Sequence, residues 1–181
     1  NAQRMQRLVD DLLDLSRIES GGWRPAPAPT DLRDVVSDVF AAAREKAAAA
    51  KVRLGSHVPD DGAAPYADAT ALRQIVGNLV DNAVRHTTDG EVIVTARRDT
   101  NGVTVLVRDT GDGIAPEHLP RIFERFYRVD AARSRAEGGT GLGLAIVKHL
   151  VEAHAGNVAA ESTVGVGTTI SAFFPDRPPE S

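Results

Sequence analysis

The chain has 181 residues, 42% hydrophobic and 25% charged, with 21 basic and 25 acidic side chains and a formal net charge of −4. This composition fits one globular domain, or one domain plus a small attachment, and lies far from the low-hydrophobicity signature of disorder. The mild acidic balance argues against a nucleic-acid backbone as the main ligand, and the lack of cysteine excludes disulfides and thiolate metal sites and suits a reducing cytosol.

The first segment, "NAQRMQRLVDDLLDLSRIE", places Met5, Leu8, Leu12 and Leu15 at spacings of three, four and three, with Val9 and Leu13 widening the stripe. It reads as an amphipathic helix, either packed on its own domain or one strand of a helical bundle or coiled coil. "SGGWRPAPAPT" breaks it with Gly21 and Gly22 and stiffens with Pro25, Pro27 and Pro29, making 21–30 a linker by composition. Thr30 or Asp31 then N-caps an alanine-rich helix expected to run to about Val52. "KVRLGSHVP" reads as a strand and "APYADA" as a weaker one. Residues 69–86 return to helical spacing. "EVIVTARRD" and "GVTVLVRD" are strands separated by the turn signal "DTNG". A loop-rich stretch over 110–140 carries one short helix around "LPRIFERFYRV". A helix over about 141–154 and the strands "NVAAES" and "GTTISAFFP" follow. The order predicts an α+β fold, a two-layer α/β sandwich with helices on one face of a mixed sheet. No apolar run approaches the roughly 20 residues needed to span a bilayer, and no signal peptide is evident. The chain begins with Asn, so the expectation is a fragment or processed chain, with any membrane anchor upstream.

Along 69–86, Leu72, Ile75, Val76, Leu79, Val80 and Ala83 form an apolar stripe, opposite Gln74, Asn78, Asp81, Asn82 and Arg85. Asparagine is a poor interior helix residue, because its side chain competes for backbone hydrogen bonds. Two of them one turn apart therefore raise the question of a site. A carboxamide oxygen is a neutral hard ligand for a magnesium ion that keeps most of its waters, and Arg85 can meet phosphate. Taken alone, the same residues also describe a solvated polar face.

Two glycine-rich stretches bear on that choice. In "VLVRDTGDGIAPEHLP", Asp109 stands at the carboxyl end of a strand, followed by Gly111 and Gly113. Glycines there allow close backbone approach to a flat ligand, and the aspartate can accept from an exocyclic amine such as adenine's. A tight turn explains the same letters. In "EGGTGLGLAIVKHLVEAHAG", Gly138, Gly139, Gly141 and Gly143 lead into a helix with Leu144, Val147, Leu150 and Val151 on its apolar face. Free N–H groups at a helix start form a phosphate site, although the spacing matches neither a Walker A motif nor a dinucleotide fingerprint. A flexible loop capped by a helix is the alternative. Between the two lies "RIFERFYRVDAARSRAEGGTG". Phe123 and Phe126 can anchor it, and Arg125, Arg128, Arg133 and Arg135 fit either a mobile basic lid or a plain surface loop.

The order of these pieces resembles the Bergerat-fold ATP-binding domain of sensor histidine kinases of two-component systems. The family's N, G1, F and G2 boxes read here "NLVDN", "DTGDG", "FERF" and "GTGLG". The resemblance covers 31–175, and "RMQRLVDDLLDLSRIESG" is similar to the second helix of the dimerisation and phosphoacceptor domain. It implies that 1–20 is a remnant of that hairpin, 21–30 a linker, 31–176 the catalytic domain and 177–181 a tail. It implies ATP and magnesium as cofactors. Asn82 would hold the metal, with Asn78 beside it on metal or phosphate, and Arg85 near phosphate. His86 would lie against adenine, and Asp109 would read its amine, through a water shared with Thr168. Gly111 and Gly113 would let the base approach. Gly141, Leu142 and Gly143 would give backbone contacts to the phosphates, with Gly139 and Thr140 also at the ATP site, and Tyr127 and Arg128 would form the hinge of the lid. Implied partners are a response regulator and a second copy of the intact protein, with no nucleic acid. The implied location is the cytoplasmic side of a membrane-bound sensor.

Two departures matter. Relatives of the gyrase and MutL kind carry a glutamate where Asn78 stands, as general base for water. A carboxamide cannot take that proton, so ATP would be held for transfer and hydrolysed poorly. The family's acceptor pattern, H-E-[LIF]-[RK]-T-P, surrounds none of His57, His86, His118, His149 and His154, so no acceptor or catalytic histidine is identified and the acceptor is expected outside this sequence. Ala155-Gly156 replaces a frequent Gly-Gly, with little expected effect. The rival readings are a gyrase- or MutL-type ATPase and a non-catalytic nucleotide-binding module of the same fold.

Overall fold

The computed structural model describes residues 1–60, 64–130, 132 and 138–177. In chain order the elements are α1 (Ala2–Glu19), β1 (Ala28–Pro29), α2 (Leu32–Ala49), β2 (Val52–His57), β3 (Tyr66–Ala67), α3 (Ala69–Arg85), β4 (Gly90–Asp99), β5 (Gly102–Asp109), a 3-10 turn (Leu119–Arg121), α4 (Gly143–Ala153), β6 (Asn157–Thr163) and β7 (Gly167–Pro175). The main sheet has the order β2-β4-β5-β7-β6. β2 runs parallel to β4 and the other neighbours are antiparallel. It is the mixed sheet of the two-layer sandwich read from the sequence.

Alternation along the strands sets which face is covered. Val92, Val94 and Ala96 of β4, Val103, Val105 and Val107 of β5, and Ile170, Ala172 and Phe174 of β7 are all buried. They belong to one core with Leu72, Ile75, Val76, Leu79, Val80 and Ala83 of α3. Fully burying a residue of the Val, Leu or Ile class contributes about 1.5–3 kcal/mol, so the α3 stripe fixes that helix's rotation. Its opposite side is then held away from the core. On the sheet's other face Arg97 and Arg108 are exposed.

The alanine-rich helix is shorter than expected. Alanine propensity favours a helix but does not say where it stops. Here α2 ends at Ala49, Lys51 takes a left-handed backbone (φ 56°), and Val52 pairs with Gly90 as the first residue of β2. Of the two candidate caps, Asp31 accepts from the Arg33 N–H, while the Thr30 hydroxyl bonds the carbonyls of Ala28 and Ala67.

The proline-rich stretch is tied to the body. Ala28 and Pro29 pair with Ala67 and Tyr66, and the Ala26 N–H donates to Asp68, the N-cap of α3. Trp23 lies 6.4 Å from the ring of buried His154, whose Nε2 accepts from the Asp68 N–H at 3.0 Å. The expected helix around "LPRIFERFYRV" is only the 3-10 turn, because Phe126 adopts a left-handed backbone (φ 60°) and its N–H donates to the Gly141 carbonyl. Phe123 anchors by its side chain, packed on the core, whereas the Phe126 ring is 56% exposed. Arg133 and Arg135 of the expected lid lie outside the described residues.

Helix α1 packs on its own domain, but not through the whole stripe read from its spacing. Leu15 is buried, and Leu8 and Ile18 pack on the core, while Met5, Val9, Leu12 and Leu13 remain exposed. Polar contacts hold it as well. Asp14 accepts from Gln74 at 2.8 Å, Asp11 accepts from the Thr140 hydroxyl at 2.7 Å, and Glu19 pairs with Arg125 and with His149. No helix among the described residues is long and apolar enough to cross a membrane.

Candidate functional site

A cleft of about 390 Å³ opens beside the polar side of α3. It gathers Asn78, Asn82, Arg85 and His86 from α3 and its C-cap, and Asp109 and Gly113 from the end of β5 and the following loop. Tyr127, Arg128, Gly139, Thr140, Gly141 and Gly143 come from the segment leading into α4, and Thr168 from β7. Thus thirteen of the fifteen sequence-predicted site residues line one cavity.

The two that do not are Gly111 and Leu142, and each has a packing reason. A Cβ on Gly111 would stand 2.2 Å from the His86 carbonyl oxygen. This glycine therefore admits protein backbone at that position. Likewise a Cβ on Gly113 would stand 2.2 Å from the Thr163 carbonyl oxygen. The Leu142 side chain is fully buried and its N–H donates to the Thr140 hydroxyl at 3.3 Å. Gly111→Ala is expected to destabilise the fold by about 1–3 kcal/mol, the usual cost of overpacking. Denaturant unfolding measures it, and an unchanged midpoint would contradict the contact.

One end of the cleft is rich in acceptors. Asp109 is 7% exposed, and its Oδ1 accepts from the N–H groups of Gly111 at 2.8 Å and Thr168 at 3.3 Å. Burial pushes its carboxyl above the ordinary range, opposed by those two bonds. Among the described residues Oδ2 accepts no hydrogen bond. Ser162 gives its hydroxyl proton to the Gly167 carbonyl, so in the 2.8 Å contact between Ser162 and Thr168 it is Thr168 that donates. The Thr168 oxygen therefore shows lone pairs to the cavity, beside the Asp109 carboxylate. Such a pair suits a ligand that donates, such as an amine.

The other end is built from the start of α4. Its N-cap, Leu142, makes no side-chain cap bond, and an α-helix leaves its first N–H groups without helical partners, at the positive end of the dipole. The Arg128 guanidinium donates to the Gly139 carbonyl, holding the loop in place. Tyr127 bonds His118, and Arg121 lies 4.4 Å over the Tyr127 ring. Asn78 donates its NH2 to the Gly143 carbonyl at 3.4 Å, which fixes the amide so that its oxygen is the group left to bind. Asp81 pairs with Lys46 at 2.9 Å and with Arg85 at 2.5 Å, so this carboxylate is already neutralised. No cluster of three or more His, Cys, Asp or Glu among the described residues could hold a metal by itself. The donor set around Asn78 and Asn82 is neutral, and fits a hard cation held mainly by a ligand's own anionic oxygens and by water.

Residues that the sequence did not single out also line the cleft: Arg7 and Asp11 of α1, Ile114, Ile122 and Val129 as apolar wall, and Asp112 and Asp130, while Leu144, read only as part of the apolar face of α4, lines it too. For the apolar ones the signal was only hydrophobicity, which core residues share. For Arg7 and Asp11 there was none, since nothing local says that α1 folds back on the loop before α4.

Residues 67–178 match the family described as histidine kinase-, DNA gyrase B-, and HSP90-like ATPase. The chain is 38% identical over 184 residues to the sensor-like histidine kinase SenX3 of Mycolicibacterium smegmatis, covering 99% of this chain and 47% of that protein. It is 40% identical over 178 residues to the phosphate regulon sensor protein PhoR of Pseudomonas aeruginosa, covering 96% of this chain and 39% of that protein. The chain thus spans less than half the length of either relative. Among solved structures, full-length ShkA in complex with AMPPNP superimposes with a TM-score of 0.82 at 32% identity, over 97% of this chain and 37% of that one.

Proposed function

Since this chain belongs to the histidine kinase-, DNA gyrase B-, and HSP90-like ATPases, we propose that it binds ATP in the cleft beside α3 and is the catalytic domain of a two-component sensor histidine kinase. The observation that carries the reading is the polarity of the cleft. Paired acceptors, Asp109 and Thr168, stand at one end, and the bare N-terminus of α4 with its glycine loop forms the other. The first suits the adenine amine and the second suits phosphates. Kinship with proteins named sensor histidine kinases supports the same choice.

Asn82, with Asn78, would hold magnesium, which when bound neutralises phosphate charge. Asn78 and the α4 amides would orient the triphosphate so that its terminal phosphoryl faces outward. The P–O bond to ADP would break as a P–N bond forms to an imidazole outside this sequence. Little covalent chemistry is asked of the protein, so positioning and electrostatics carry the reaction. Because a carboxamide cannot deprotonate water, hydrolysis is disfavoured. In this reading the intact protein dimerises, relays the phosphoryl to a response regulator aspartate, and sits on the cytoplasmic side of a membrane sensor.

The test is calorimetry with ATP, with and without magnesium, followed by incubation with γ-labelled ATP. Magnesium-dependent binding is expected, with turnover below about 0.01 per second against the ~1–10³ per second of ordinary enzymes, and no acid-labile label on the chain. Failure to bind, fast hydrolysis, or stoichiometric self-labelling would each refute the assignment.

A further inference from the structure

We infer that Arg7 of α1, a residue outside the matched family region, contacts the terminal phosphate of the bound nucleotide and makes the cleft distinguish triphosphate from diphosphate. The inference rests on the ATP-binding reading above and adds a residue from another element to that site.

Three arginines line the cleft among the described residues. Arg85 is paired with Asp81, and Arg128 donates to the Gly139 carbonyl. Arg7 forms no ion pair among the described residues, and its one hydrogen bond, from Nε to the Gln3 carbonyl, is long at 3.5 Å and exposed. Its guanidinium nonetheless leans into the cleft, with one terminal nitrogen 3.3 Å from where a Cβ on Gly138 would stand. Gly138 opens the glycine loop whose far end is the start of α4. Leu142 at the start of α4 is fully buried while Arg7 is exposed, so the α4 amides suit the inner phosphates and a cation reaching over Gly138 from α1 suits the outermost one.

The helix is held for this role. Asp11, one turn beyond Arg7 and on the same side, accepts from the Thr140 hydroxyl at 2.7 Å, and that hydroxyl in turn accepts from the Leu142 N–H. The contact fastens α1 to the loop that leads into α4. Burial, with Asp14 and Asp10 nearby, raises the Asp11 carboxyl above its ordinary range, against the Thr140 bond and the Arg7 charge that lower it. An anion already sits at this mouth, so a second anionic group, a terminal phosphate, is accommodated only with a cation beside it. Arg7 is that cation, and a guanidinium can grip phosphate oxygens in two places.

The experiment is calorimetry of Mg·ATP and Mg·ADP on the 181-residue chain and on its Arg7→Ala and Arg7→Lys variants. Arg7→Ala is expected to weaken ATP binding about tenfold and ADP binding less than about twofold, with Arg7→Lys recovering part of the ATP loss. ADP affinity doubles as the check that the variant is folded. Equal losses for both nucleotides, or no loss for either, overturn the inference and leave the ATP-binding reading intact. A parent chain that binds neither nucleotide fails that reading itself, and this inference with it.

Discussion

Asn82→Ala is expected to weaken Mg·ATP binding about 10- to 100-fold while leaving the fold as stable as before. Asn82 stands on the last turn of α3 and lines the cleft one turn from Asn78. Losing one charge-assisted ligand contact costs about 1.5–3 kcal/mol, and each ~1.4 kcal/mol is tenfold in affinity. The helix itself does not need the carboxamide, because the bond that matters there is from the His86 N–H to the Asn82 backbone carbonyl. Alanine is the better helix former, so thermal unfolding should not move downward. Chelating magnesium should bring parent and variant together. If the variant bound Mg·ATP like the parent, the metal role given to Asn82 would be wrong.

Asp109→Asn is expected to separate binding from stability more sharply still. The amide oxygen can keep both backbone bonds, from Gly111 and Thr168, but an NH2 replaces the Oδ2 that would accept the adenine amine. A donor then faces a donor at a nearly buried position, and ATP affinity should fall about 100-fold, from a lost bond and an unsatisfied group together. Stability should hold or rise. Burial raises the Asp109 carboxyl above its ordinary value of 3.8 in the folded chain. Its contribution to stability is therefore fully present below that value and is lost as pH climbs through the raised one. At neutral pH the parent carries a buried charge that the asparagine variant lacks. Melting curves at pH 7.5 should favour the variant, with the advantage shrinking toward pH 4. An ATP affinity within about threefold of the parent's would remove Asp109 from base recognition.

Much of this site was legible beforehand because its elements follow simple periods. The stripe from Leu72 to Ala83 fixes the side of α3 that faces the sheet, and so turns Asn78 and Asn82 the other way. Alternation in "EVIVTARRD" and "GTTISAFFP" sets the buried face of the sheet. A glycine run directly before an apolar helix announces an unblocked N-terminus. These features are local, since each is decided by residues within a few turns of one another.

Contacts between distant segments were not legible. "DTGDG" suggests glycines cleared for a ligand, yet Gly111 is cleared for the His86 carbonyl. "GTGLG" suggests backbone contacts, but not that the Leu142 side chain turns into the core to seat them. The prolines of 21–30 read as a spacer until β1 pairs with β3. The stripe on α1 reads as one interface, yet it divides between a buried flank and an exposed one. The Asp11–Thr140 bond joins positions 129 residues apart. By itself the sequence determined the layers, the order of the loops and the chemistry of the α3 side and the α4 end of the cleft. Only the tertiary structure decided that α1 completes it with Arg7 and Asp11. Periodicity says which side chains share a face of one element, whereas which faces meet depends on how the whole chain closes around its core.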